Sequence, residues 1–232
     1  MTTVALRIRT WTLALSVSIL FILAVNLVLP FVPAHLAANA RLAPFLNWVN
    51  IGAEQSLPTW YSSFMLLVCS VLTWLSALTA KAETGRRNWH WLVLAAGFLF
   101  MAVDEAISIH EYFSVIFIPY VKTEGFFAYA WVVVAIPLVV GLAVAFIPFL
   151  FRLPRRSAAR FLIAGVVYVG GALVLEMIGS KVADGDMSGF LTHYVATVEE
   201  GLEMFGQLLM ARALLLHLVE SPTKGEIRLS IS

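Results

Sequence analysis

The chain has 232 residues, of which 61% are hydrophobic and 12% are charged. Soluble domains carry about 25% charged residues, so this composition excludes an ordinary water-soluble domain and indicates a membrane protein. The formal net charge of +1 excludes the basic surface that nucleic-acid binding needs, and the single cysteine, Cys69, excludes an intramolecular disulfide.

Six apolar runs along the chain each approach the length of about 20 residues that crosses a bilayer. The first run is too long for the core of a signal peptide, so we expect it to be a retained helix. Prolines mark several boundaries, at Pro30, Pro33, Pro58 and Pro154. The predicted fold is all-α, a single domain over 1–232 that forms one polytopic bundle of about six transmembrane helices. These helices are expected at about 11–33, 58–80, 89–116, 128–152, 161–181 and 190–218.

The interval 38–56 is the only long connection that this pattern leaves. Its apolar residues Leu42, Phe45, Leu46 and Val49 recur at helical spacing. That spacing predicts a short helix lying in the membrane interface, with an ordinary loop that makes some apolar contacts as the alternative.

Basic residues are distributed unequally between the two ends of the predicted helices. If the N-terminus is cytoplasmic, all but three of the 15 lysines and arginines fall on the cytoplasmic side; the exceptions are Arg41, Lys122 and Lys181. This positive-inside bias predicts an N-in/C-in topology, and the expected location is the bacterial inner (cytoplasmic) membrane.

Acidic residues show the opposite distribution. All but three of the 14 (Glu83, Glu220 and Glu226) fall in predicted outer loops or in the outer halves of helices. Asp and Glu contribute little to topology, so this segregation favours a functional cause.

Helical phase divides the acids of the predicted third and sixth helices. The third helix should present Asp104, Ser108 and Glu111 on one face, with Glu105 and His110 on opposite flanks. On the sixth helix, His193, Glu200 and Gln207 recur every seven residues; Glu203 lies close to that line, and Glu199 is rotated away from it.

The predicted fifth helix contributes one further acid, Glu176. It shares a stripe with Gly165, Ala172 and Gly179, which predicts a close helix contact, because small residues let a neighbouring backbone approach. At about 1.5 Å per residue, the acids of all three helices lie between the outer surface and the bilayer centre, with Glu203 about 20 Å deep.

Charge balance is the question that these acids raise. An ionised side chain at the bilayer centre costs about 2.5–3.5 kcal/mol even on the most lenient scale. The sequence places no lysine or arginine at this depth, since Lys122 and Lys181 lie at its outer rim. Protons, imidazoles, water or a bound cation must therefore balance the charge.

Carboxylates mixed with imidazoles suit iron, manganese or zinc, and calcium is not excluded. The sequence therefore predicts an integral membrane metalloprotein with a divalent metal site facing the exoplasmic side. The predicted metal ligands are Asp104, His110, Glu111, Glu176, His193, Glu200 and Glu203. Supporting positions around them are predicted for Glu105, Ser108, Tyr168, Glu199 and Gln207. Such a site could serve a metal-dependent hydrolase or oxidoreductase acting on a lipid or other hydrophobic substrate.

Two other functions remain open at this stage. The acids could form the relay of a proton- or cation-coupled transporter or channel, although the cytoplasmic half shows no matching polar path. Alternatively, the protein could be a structural or assembly subunit whose acids pair with basic residues of a protein partner. The metal, the substrate and the reaction are not specified by the sequence.

Overall fold

The computed structural model describes residues 7–85, 88–121, 124–183 and 189–220. Within these ranges the chain is helical and contains no strand. The α-helices are α1 (Ile8–Val28), α2 (Ala34–Ala37), α3 (Ala43–Val49), α4 (Leu57–Thr84), α5 (Trp89–Ile107), α6 (Ile109–Phe117), α7 (Trp131–Arg152), α8 (Arg155–Val169), α9 (Glu176–Ala183) and α10 (Phe190–Glu220). A π-helical turn, Gly170–Leu175, joins α8 to α9, and short 3-10 turns occupy Leu29–Phe31, Ile118–Tyr120 and Gly125–Phe127.

Six helical segments in the described ranges are long and apolar enough to cross a membrane. They confirm the predicted all-α fold and the predicted number of membrane-length helices. They are Ile8–Phe31, Leu57–Lys81, Trp89–Ile107, Trp131–Arg152, Arg155–Ala183 and Phe190–Glu220. This architecture fits an integral membrane protein. Five basic residues used for the orientation lie outside the described residues, namely Arg86, Arg87, Lys122, Lys224 and Arg228. The N-in/C-in topology stays a prediction.

The expected third helix over 89–116 is interrupted at Ser108. This residue adopts φ 54° and ψ 48°, the left-handed conformation, so α5 ends before it and α6 begins after it. Asp104 stabilises the break, because its backbone oxygen accepts from the Ser108 N–H at 2.6 Å and its Oδ1 accepts from the His110 N–H at 2.7 Å. The carboxylate thus satisfies a free donor at the start of α6.

The connection after α1 contains the short helix α3, which includes Phe45, Leu46 and Val49 and begins directly after Leu42. A fully buried Asn26 ties this connection to α1. Its Nδ2 donates to the Val49 oxygen at 3.0 Å, and its Oδ1 accepts from the Ile51 N–H at 2.8 Å. The loop is therefore fixed against the bundle through one side chain.

Helix α10 lies at the centre of the bundle, in contact with α1, α4, α8 and α9, while α5 packs on α4. Glycines permit the closest approach: a Cβ on Gly206 would lie 2.7 Å from the Tyr168 Cα, and one on Gly171 would lie 2.8 Å from the Glu199 oxygen. The sequence predicts a close helix contact along the stripe that includes Gly165. That prediction is wrong at Gly165, because a Cβ there would meet nothing within 4 Å. The π-helical turn adds a residue and changes which face meets α10.

Candidate functional site

Asp104 and His110 form an ion pair across the break between α5 and α6. The His110 Nδ1 lies 3.1 Å from the Asp104 Oδ2. The prediction had placed His110 on a flank away from Asp104, and it is wrong because it assumed a continuous helix. Burial lowers the pKa of His110, but the hydrogen bond and charge of Asp104, together with the charges of Glu176 and Glu54, outweigh it, and the net shift of the pKa is upward.

A second pair lies at the outer end of the same region. The Ser108 hydroxyl donates to the Glu54 carboxylate, and the Glu111 carboxyl group lies close to Glu54. Burial and the neighbouring Glu54 raise the pKa of Glu111. Glu54 was missed by the sequence reasoning because it lies in the loop before α4, where no periodicity assigns a direction to its side chain.

Glu176 and Glu199 form a third pair, between α9 and α10. Their carboxyl groups approach each other, and the Trp131 Nε1–H donates to the Glu176 Oε1 at 3.3 Å. The Glu199 Oε2 would lie 3.6 Å from a Cβ on Gly179, so it faces α9. The Trp131 ring centroid is 5.4 Å from that of His110, which places the first and third pairs side by side.

Deeper in the bundle, neutral donors contact the remaining glutamates. The Tyr168 hydroxyl lies close to Glu203, and the Ser62 hydroxyl lies close to Glu105. The Gln207 Nε2 donates to the Ser62 Oγ at 2.6 Å. Gln207 and Glu105 thus approach Ser62 from two other helices.

Glu200 lies between these groups on α10. It interacts electrostatically with Glu105 of α5, Glu176 of α9 and Glu54 of the loop before α4. Glu200 and Glu203 each retain partly accessible surface although they lie near the middle of α10.

His193, a predicted metal ligand, contacts α1. Its Nε2 lies 2.8 Å from the backbone oxygen of Asn26, which links α10 to α1. Helical phase aligned His193 with Glu200 correctly along α10 but could not show that α1 packs at this level.

Among the described residues, no group of three or more His, Cys, Asp or Glu side chains is placed to hold a metal ion. The geometry therefore gives no support to the predicted metal centre. Over the same residues, the ion pairs are His110–Asp104 and Arg160–Glu220, so the deep glutamates pair with neither lysine nor arginine there. Lys181, near the outer rim, places its Nζ 4.5 Å from the Phe126 ring centroid.

The fold and these contacts fit a helical membrane protein whose bundle brings acidic side chains close to one another. The chain belongs to the DUF8692 family, a domain of unknown function, whose family model matches residues 13–218. No curated protein and no solved structure matches the chain.

Proposed function

We propose that the paired acids act together as one proton-holding carboxyl cluster, and that the protein is a proton-coupled transporter or proton channel. The carboxyl cluster comprises Glu54, Asp104, Glu105, Glu111, Glu176, Glu199, Glu200 and Glu203. The observation that carries this proposal is the close approach of the carboxyl groups of Glu176 and Glu199 across the contact between α9 and α10. Two ionised carboxylates at close range inside a bundle repel each other, so this approach favours a proton on one of them.

The partners of the other cluster members favour protons over metal as the balancing charge. Neutral hydroxyl groups lie beside two of the glutamates, Tyr168 beside Glu203 and Ser62 beside Glu105, and Trp131 supplies an indole N–H to Glu176. Neutral donors do not cancel the charge of a carboxylate inside a membrane, and His110 is the one base paired with an acid at this end of the described bundle. Protonation removes the cost of ionisation without any further partner.

The arrangement along the bundle supports proton entry from one side. Glu54 and Glu111 are exposed, whereas Glu203 lies near the middle of the longest helix, with Glu176 and Glu200 between these levels. Under the predicted N-in/C-in topology, the exposed end faces the exoplasmic side. The π-helical turn directly before Glu176 adds support, since such turns frequently occur at functional sites.

Proton flux into proteoliposomes tests this function. The purified chain is reconstituted, a pH gradient is imposed, and a trapped pH-sensitive dye reports the internal pH. We expect faster dissipation than in protein-free liposomes, and a loss of most of that difference in Glu203→Gln, because glutamine keeps the shape but transfers no proton.

Glu220→Gln is the matched control, because Glu220 pairs with Arg160 at the opposite end of the bundle. Its flux should equal that of the wild type. Wild-type flux no faster than in empty liposomes, or flux that is unchanged in Glu203→Gln, would overturn the proposal. Bound metal at one equivalent per chain that Asp104→Ala and Glu200→Ala both remove would restore the metalloprotein interpretation instead.

A further inference from the structure

We propose that the inner part of the carboxyl cluster binds an organic cation that carries N–H donors and an apolar tail, entering from the bilayer beside α7. The proposal rests on the proposed function and names the class of solute exchanged for protons. Three residues form the head-group site, namely Tyr168, Glu203 and Gln207.

A buried acceptor points to a ligand with hydrogen-bond donors. Gln207 is 2% exposed, and among the described residues its Oε1 has no hydrogen-bond partner. The Gln207 Nε2 donates to the Ser62 Oγ at 2.6 Å, so the Gln207 Oε1 remains as an acceptor without a donor. A buried acceptor without a donor is costly, and such groups call for an explanation.

The charge of the surroundings points to a cationic ligand. Gln207 follows Glu203 by four residues and Glu200 by seven, which places all three side chains on one face of α10. Glu105 lies on the other side of Ser62. A guanidinium or ammonium group could donate hydrogen bonds to both the Gln207 oxygen and a neighbouring carboxylate. Hydrogen bonds from a charged donor are stronger than those from a neutral donor.

A gap in the helix packing supplies a route from the bilayer. Residues 140–145 of α7 are all exposed, and six consecutive residues cover more than one full turn of helix. The ends of α7 are held: Trp131 bonds Glu176 at one end, and Phe146 and Phe149 pack around His90 at the other. The middle of α7 therefore stands clear of the described part of the bundle.

This gap lies at the level of the head-group site. Trp131 contacts Glu176, and α7 runs antiparallel to α8 and α9 because a short turn at Pro154 connects them. The position eight residues after Trp131 on α7 and the position eight residues before Glu176 are both about 12 Å below the contact between Trp131 and Glu176. The second of these positions is Tyr168, so both lie at the level of Tyr168. Residues 140–145 follow immediately below, so an apolar tail in the gap would place its charged head beside Tyr168 and Glu203.

Binding and proton release are linked by charge balance. The cation forms hydrogen bonds with a cluster carboxyl group, which gives up its proton to water as the ion pair forms. One positive charge replaces another, and no covalent bond changes apart from the O–H bond that is lost. The buried site therefore never holds the proton and the cation at the same time, and it never holds an ionised carboxylate without a positive charge beside it.

Binding measurements on the full chain in lipid nanodiscs test the inference with three matched probes. Dodecylguanidinium has a permanent charge, N–H donors and a tail; dodecyltrimethylammonium has the charge and tail but no N–H; guanidinium alone has no tail. After subtraction of binding to empty nanodiscs, we expect dodecylguanidinium to bind at least about tenfold more tightly than either other probe. A pH indicator in weak buffer should report about one proton released per cation bound.

Two variants locate the site. Gln207→Met should reduce the preference for dodecylguanidinium over dodecyltrimethylammonium by about tenfold, because the acceptor is gone. Glu203→Gln should abolish proton release, and Glu220→Gln should match the wild type. If Gln207→Met does not fold, the comparison of probes on the wild type still decides the matter.

Equal affinities of wild type for the two tailed cations, or no binding above empty nanodiscs, would overturn the inference. If proton flux then still depended on Glu203, the proposed function would stand without this solute. Tight binding of dodecylguanidinium with no proton flux in liposomes would show that the site binds the cation although the protein does not carry protons across the membrane.

Discussion

The carboxyl groups of Glu176 and Glu199 approach each other across the contact between α9 and α10. Glu176 occupies the first position of α9, directly after the π-helical turn, and Gly171 within that turn lies against the backbone of Glu199. The pair therefore depends on an irregular helix as much as on its two side chains. A regular α-helix through 170–175 would rotate Glu176 relative to α10.

Infrared spectroscopy of the reconstituted protein tests whether this pair holds a proton. We expect a carbonyl band of protonated carboxyl groups at neutral pH that decreases in Glu199→Gln, because the pair then retains one carboxyl and needs no shared proton. Glu220→Gln should leave the band unchanged, since Arg160 donates two hydrogen bonds to the ionised Glu220. An identical band in wild type and Glu199→Gln would show that the pair is not the protonated group.

The close contact between α8 and α10 predicts a large effect of one methyl group. A Cβ at Gly206 would lie 2.7 Å from both the Cα and the backbone nitrogen of Tyr168, and backbone atoms cannot move aside cheaply. Gly206→Ala should therefore lower the free energy of unfolding by about 1–3 kcal/mol and displace Tyr168 from Glu203. The midpoint of thermal unfolding in detergent measures the change.

Gly141→Ala is the control for that experiment, because a Cβ at Gly141 would meet nothing within 4 Å. Alanine is the better helix former, so this variant should match or slightly exceed the stability of the wild type. Equal unfolding midpoints for the two alanine variants would contradict the assigned contact.

The sequence could predict the six membrane-length helices, because runs of apolar residues depend on composition alone. It could also identify the acids as unusual, since their depth follows from counting residues along each helix. Side-chain directions were less predictable. Phase counting assumes regular helices, and it failed where Ser108 breaks α5 from α6 and where the π-helical turn shifts Glu176.

Contacts from loops and other helices were beyond the reach of periodicity. Nothing in the sequence indicates that Glu54 reaches Ser108, which is 54 residues away, or that Ser62 meets Gln207 across 145 residues. One signal was available for the break itself: Asp104 precedes Ser108 by four residues, and acidic side chains commonly accept from the first N–H groups of a helix. A Gly or Pro would have marked the position more clearly.

Asn26 should be the side chain whose loss most weakens the outer end of α1. Its amide bonds the backbone at Ile22, Val49 and Ile51, and it is fully buried. Asn26→Ala leaves the buried Ile51 N–H without its acceptor, which should cost about 1–3 kcal/mol of unfolding free energy. Asn39→Ala is the control, because Asn39 is exposed and caps only Arg41. Equal unfolding midpoints for both variants would show that the loop is held by other contacts.

The contact between α6 and the loop before α4 should weaken as pH rises. The folded protein raises the pKa of Glu111 above its ordinary 4.5, through burial and Glu54. The pKa of His110 lies above 6.5, because Asp104, Glu176 and Glu54 together outweigh the effect of burial. Both groups bind protons more tightly when folded, so their stabilisation is complete below the ordinary values.

The stabilisation by Glu111 is therefore lost as pH rises from 4.5 towards the pKa of Glu111 in the folded protein. The stabilisation by His110 is lost as pH rises from 6.5 through the pKa of His110 in the folded protein. Amide hydrogen exchange in α6, corrected for the intrinsic effect of pH, should become faster over this range, while exchange in the core of α10 stays constant. Glu111→Gln should remove the part of the change that begins near pH 4.5, since the glutamine does not ionise, and leave the part above pH 6.5. Protection of α6 that is independent of pH in the wild type, or that increases as pH rises, would show that these two groups do not control the contact.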